Sequence, residues 1–206
     1  MSWSTAPRFA LALAAVIRSC PLAAQDLRAE IGIAGSLTVP TSFYHHADSA
    51  GDGFKPGVFG LAVVGLKLPK TPIGFRLDVS TGHNSANDSL KSHLSALVGA
   101  PADARIRLWG VLANATYNPQ PASAARGYFL AGIGFYNVKF SASTSGGSAD
   151  TSGTKLAWDV GGGLTVGSGA VAWFFEARYL DVAAFAGIKP TGFVTTTGIR
   201  VGFGGT

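Results

Sequence analysis

The sequence predicts an all-β fold, an eight-stranded antiparallel up-and-down transmembrane β-barrel, on three observations. Only 13% of the 206 residues are charged, against about 25% in an ordinary soluble domain, and mean hydropathy is positive at +0.29. Yet beyond the N-terminus no apolar run approaches the ~20 residues of a spanning helix, and "LAVVGL" (61–66) is representative. Second, the hydrophobicity is dealt out by alternation. The 28 glycines, with many Ser, Thr and Ala, fill alternate positions and favour strands over helices. Third, long and short connections take turns between the alternating stretches, as they do when an up-and-down barrel puts odd connections at one end and even ones at the other.

In chain order, "MSWSTAPRFALALAAVIRSCPLAAQ" (1–25) carries a cation at Arg8, an apolar centre from Phe9 to Ile17 and small residues at Ala23 and Ala24. It reads as a secretory signal peptide, which leaves 26–206 as one barrel domain. Cleavage removes Cys20, the sole cysteine, together with Arg8 and Arg18, so Lys+Arg falls from 16 to 14 against 11 acidic residues and the net charge from +5 to +3. A cysteine-free chain suits an oxidising compartment and excludes disulfides and thiolate-bound metals. The remaining positive charge is scattered, so a nucleic-acid partner is not expected.

Strands are expected at 26–39, 57–68, 73–81, 104–117, 127–140, 154–166, 171–183 and 193–203, each bounded by turn residues. "PKTP" (69–72) and "GSGA" (167–170) are tight turns at one end, which also holds both termini. Long loops are expected at the other end, around "YHHADSAGDG" (44–53), "TGHNSAND" (81–88) and the Gly/Ser-rich "SASTSGGSADTSGT" (141–154).

The contents of the two parities say which face meets lipid. Strand 154–166 offers Lys155, Ala157, Asp159, Gly161, Gly163 and Thr165 opposite Leu156, Trp158, Val160, Leu164 and Val166. Small residues with sparse charge describe a crowded interior, because a water-facing surface would be rich in Lys and Glu. Aromatics gather towards strand ends, at Tyr117, Tyr128, Phe140, Trp158, Trp173, Tyr179, Phe193 and Phe203, where amphipathic rings suit a bilayer interface.

The signal peptide, the eight alternating stretches and the closing "TGIRVGF" resemble the small eight-stranded outer-membrane β-barrel proteins of Gram-negative bacteria, of the opacity-protein, OmpX and OmpW type. The resemblance implies an outer-membrane location with long loops extracellular and termini periplasmic. It also implies contact with outer-membrane lipids and lipopolysaccharide, a monomeric state, and Phe203 as the aromatic that the barrel assembly machinery reads. Here Gly204, Gly205 and Thr206 follow that aromatic.

Charged residues two apart share a strand face. Arg28 with Glu30, Arg76 with Asp78, and Glu176 with Arg178 all fall on the small parity, as do Asp159 and Arg200. Inside a narrow barrel these predict a paired ionic core that fills the lumen, since buried charge is tolerated only when paired and eight strands leave room for little beyond their own side chains. The competing expectation is a selectivity filter.

His83 and Ser85 in "GHNS" resemble the His-x-Ser of outer-membrane lipid A deacylases, which would make His83 the base and Ser85 the nucleophile. Ala86 departs from that motif, and both glutamates, Glu30 and Glu176, already belong to the interior. A polar loop is the simpler expectation. His45, His46, Asp48 and Asp52 are likewise read as a solvated loop, so no metal or other cofactor is expected. The leading functional expectation is a non-enzymatic outer-membrane barrel with a structural or surface-interaction role. A narrow channel for small or hydrophobic solutes and a lipid A 3-O-deacylase-like esterase are the alternatives.

Overall fold

The structure, a computed structural model, describes residues 27–41, 53–119, 125–167 and 169–203. The expected signal peptide, the segment of His45, His46, Asp48 and Asp52, and the residues after Phe203 lie outside them.

Eight strands close into a barrel in chain order: β1 (Arg28–Pro40), β2 (Gly57–Lys67), β3 (Ile73–Ser85), β4 (Ala102–Tyr117), β5 (Ala125–Thr144), β6 (Gly147–Val166), β7 (Val171–Val182) and β8 (Thr191–Phe203). Every ladder is antiparallel, and β1 pairs on its second side with β8, from Ala29 against Phe203 to Pro40 against Gly192. Closure leaves no unpaired edge, which is what lets strands stand in hydrocarbon. Among the described residues no helix is long and apolar enough to cross a membrane.

The alternation behaves as expected. Ile33, Phe75, Leu77, Phe129, Ile133, Phe135 and Leu164 point outward and stay exposed, while Arg76, Asp78, Leu112, Leu130, Asp159 and Arg200 point inward and are buried. On β4 the outward band runs from Trp109 to Tyr117. At ~3.4 Å per residue and a tilt of ~40° that span is roughly 21 Å along the barrel axis, close to the ~25 Å apolar band of transmembrane barrels. Trp158, Tyr179 and Phe193 form a chain of ring contacts at 5.7 and 5.5 Å between centroids. Two of the expected interfacial aromatics do not belong to the outward set. Tyr128 is buried in the lumen, and Phe140 packs edge-on against Phe54 over the interior cluster.

The long-connection end is more ordered than composition suggests. The Gly/Ser stretch expected as a loop continues β5 and β6 into a hairpin with only Ser145 and Gly146 between them. Its backbone pairs residue by residue from Lys139 against Ser152 to Thr144 against Gly147, and Lys139 meets Asp150 at 2.7 Å. β3 likewise runs on through His83 to Ser85. The connection after it holds an unforeseen helix, α1 (Asp88–Val98). Asn87 caps it by accepting from Leu90 N at 2.8 Å, and Gly99 ends it in the left-handed region that a Cβ would strain. Lys55 pairs with Asp88 at 2.9 Å and holds that carboxyl below its ordinary range.

Candidate functional site

The lumen is filled in two layers. Nearer the tight turns lies a cluster of charge to which every strand contributes. Arg76 on β3 reaches across the lumen to Glu176 on β7, donating from Nη1 at 2.5 Å and from Nη2 at 3.1 Å. Its Nη2 also donates to Asp78 at 2.9 Å, and its Nε approaches Asp78 Oδ1 at 2.8 Å without hydrogen-bond alignment. Arg178 on β7 returns the crossing, donating to Asp78 at 2.6 Å and to Asp159 on β6 at 3.1 Å, while also binding Glu176 beside it.

Arg200 on β8 bonds Glu30 on β1 and Glu176, both at 3.1 Å, and its guanidinium stacks 4.3 Å from the Phe174 ring centre. Tyr128 on β5 donates its hydroxyl to Glu176 and accepts from Arg200. Asn114 on β4 donates to Asp78 at 3.3 Å, and Lys67 on β2 pairs with Glu30 at 2.9 Å. Glu30, Asp78, Asp159 and Glu176 thus face Arg76, Arg178, Arg200 and Lys67, four negative charges against four positive. Buried charges at these distances are tolerable because each is held by a close partner and most by several.

The sequence puts the cluster there through its glycines. A Cβ at Gly163 would stand 2.8 Å from both Glu176 Cγ and Tyr128 Cζ, and one at Gly161 would stand 3.0 Å from Arg178 Cγ. Bare backbone on β6 makes room for the large charged side chains of β7.

Above this layer the interior turns apolar. Phe59, Ile106, Leu108, Leu112, Tyr136, Val138, Ala157, Leu180 and Val182 pack together beneath Phe54, with Leu90 of α1 against them. Tyr136 meets Ser80 at 2.6 Å. Between the layers lies a cavity of about 30 Å³, room for on the order of one water.

Of the charges singled out in the sequence, Arg28 stands apart. It lies at the tight-turn rim, its guanidinium donating to Gly169 O at 3.4 Å, and Glu30 is paired from β2 and β8 instead. The reason is position: at the first residue of β1 a side chain projects past the barrel mouth. Asn114 and Lys67 join the cluster without a charge pair on their own strands to mark them, and Tyr128, expected at the bilayer interface, shares its parity with Gly132 and Gly134, a sign that it faces inward. Phe203 points outward, half exposed, against Ala29.

His83 and Ser85 sit at the outer end of β3, on the parity of Phe75 and Leu77, so they face away from the lumen. Among the described residues no hydrogen bond joins them and no carboxylate pairs with His83. Glu30 and Glu176 are sealed inside the barrel, where neither can reach that face. No group of side chains among the described residues is arranged to hold a metal ion.

The closed eight-strand barrel, lipid-facing outside and filled inside, fits the family match: residues 9–206 match the outer membrane protein beta-barrel domain. The chain belongs to this family. Its fold is shared with the neisserial surface protein NspA at 17% identity, covering 86% of this chain and 97% of that one with a TM-score of 0.55. OprG from Pseudomonas aeruginosa is similar at 12% identity, covering 88% and 98% with a TM-score of 0.56. A major outer membrane protein from Thermus thermophilus follows at 11% identity, covering 85% and 99% with a TM-score of 0.51. No curated protein matches in sequence.

Proposed function

We propose that this barrel is a non-enzymatic outer-membrane protein whose lumen is closed by its own side chains and whose working surface is the long-connection end, directed to the cell exterior. One observation carries the reading: the neutral ionic layer and the apolar layer under Phe54 succeed each other along the axis, with a cavity of about 30 Å³ between them. A conducting pore needs a continuous aqueous path, and a filter of charges needs ions to displace water rather than guanidinium groups already bound to carboxylates. Among the described residues, the β5–β6 hairpin and the capped helix α1 give that end a defined surface.

The esterase alternative draws less support. A His-Ser pair needs a third group to hold the imidazole and a hydrogen bond between its members, and neither accompanies His83 and Ser85. Solute-loaded proteoliposomes test the proposal. They should hold small sugars as well as protein-free vesicles do, whereas release of sugars would favour the channel reading.

A further inference from the structure

The outward face of the barrel carries a second cluster of charge that the lumen does not explain. His83 on β3, Arg107 on β4 and Lys139 on β5 are direct register partners, all on the outward parity, and Arg105 stands one step further out between Ser85 and Ser141. Neighbouring strands are ~4.8 Å apart, so the row spans roughly 10 Å, with Arg105 about 7 Å above it.

The row begins where the lipid-facing band ends. Below it come Thr81, Trp109 and Asn137, and below those Val79, Val111 and Phe135. The four side chains border a surface groove that runs down past Gly60, Thr81, Gly82 and Trp109. Gly60 faces open space, so its missing side chain deepens the groove at the height where acyl chains begin.

The nearby acids offset only part of the cluster. Asp150 pairs with Lys139 at 2.7 Å, and hydrogen bonds from Lys139 and Ser141, with a longer-range attraction to Arg107, hold its carboxyl below the ordinary range, while Asp103 pairs with Lys91 at 3.1 Å. Among the described residues Arg105 and Arg107 make no ion pair, and both are exposed. Two guanidinium groups with no direct carboxylate contact, at the edge of an apolar band, are complementary to phosphate carried on a lipid, because planar N–H forks bind phosphate oxygens two at a time.

The geometry points to a binding site for a phosphorylated glycolipid of the outer leaflet, its phosphates on Arg105 and Arg107 with Lys139 and His83 beside them, and an acyl chain in the groove along Gly60 and Trp109. The surrounding hydroxyls of Ser85 and Ser141 suit a sugar headgroup. The leaflet assignment rests on the proposed orientation of the barrel, but the chemistry of the site does not.

The test uses the full mature chain in neutral-detergent micelles, which have no inner or outer side, with bis-phosphorylated lipid A and its dephosphorylated form as probes and native mass spectrometry as the readout. The wild type should retain the phosphorylated form at least about tenfold better, and Arg105→Gln/Arg107→Gln should lose about tenfold of that retention. Lys70→Gln, at the opposite rim, should change nothing. Heat-modifiable migration on a gel confirms that each variant is folded. A large excess of inorganic phosphate should displace little, since it lacks the acyl chain. Equal retention of the two forms, indifference to the double substitution, or displacement by phosphate alone would each overturn the site. Labelling of a Ser145→Cys variant on intact cells reads the orientation separately: no labelling with phosphate-dependent retention intact would move the site to the inner leaflet's headgroups and refute the outer-leaflet assignment alone.

Discussion

Arg76 Nη1 lies 2.5 Å from Glu176 Oε1, although β3 and β7 stand opposite each other in the closed order of eight strands. The pair therefore spans the lumen, and Arg178 to Asp78 at 2.6 Å crosses it again in the reverse sense. Two crossed bridges tie opposite walls that share no backbone hydrogen bond.

Removing one end of such a bridge strands its partner in a dry interior. Glu176→Gln should therefore cost roughly 3 to 5 kcal/mol, read as a lowered urea midpoint in lipid or detergent. Glu176→Gln combined with Arg76→Gln should cost less than the sum of the two single changes. Strict additivity would mean that the groups do not interact.

The glycines beside the charges are placed for volume. Gly163→Val should destabilise by about 1 to 3 kcal/mol through overpacking, since its Cβ alone would come to 2.8 Å from Glu176 Cγ. Gly60→Ala, facing open space on the outward side, should leave the same unfolding curve nearly unchanged. Equal effects at the two positions would argue against a packed lumen.

The fold was legible because a period of two written over eight stretches has few other solutions, and β7 shows it plainly: Trp173, Phe175 and Tyr179 face out while Glu176 and Arg178 face in. Parity also found most of the ionic layer. It could not reveal the pairing, because register across the barrel depends on how far each strand is staggered, and β3 to β7 is the longest such step. Tyr128 escaped because an aromatic near a strand end suits both a bilayer interface and a lumen. The hairpin past Lys139 escaped for a different reason. Ser, Gly and Thr carry no apolar face, so nothing in their order distinguishes paired backbone from loop.

That hairpin changes where the surface should be probed. Ala86, a natural choice on sequence grounds within "NSAND", is fully buried and bridged to Phe54, so an insertion there should abolish folding. A cysteine at Ser145 should react with a membrane-impermeant maleimide on intact cells, and one at Thr71 should react only after lysis. Reactivity at Thr71 alone would invert the orientation.

Ser85→Ala and His83→Ala should leave the acyl pattern of lipid A unchanged in mass spectra of cell extracts. Loss of a deacylated species in both variants would establish catalysis at the outer end of β3.

Phe203 packs on the lipid side against Ala29, at the seam where β8 meets β1. Phe203→Ala should lower the fraction of heat-modifiable, membrane-inserted protein in cells. Unchanged assembly would show that the last outward aromatic is dispensable for closing the barrel.

The claim that the lumen is closed is tested most directly by single-channel recording of the purified barrel in planar bilayers. The wild type should give no discrete conductance steps at any voltage the bilayer withstands, because ions would have to pass both a neutral layer in which each charged group has an opposite partner and the apolar packing beneath Phe54. Reproducible steps from folded wild-type protein would contradict the closed lumen and make the barrel a channel.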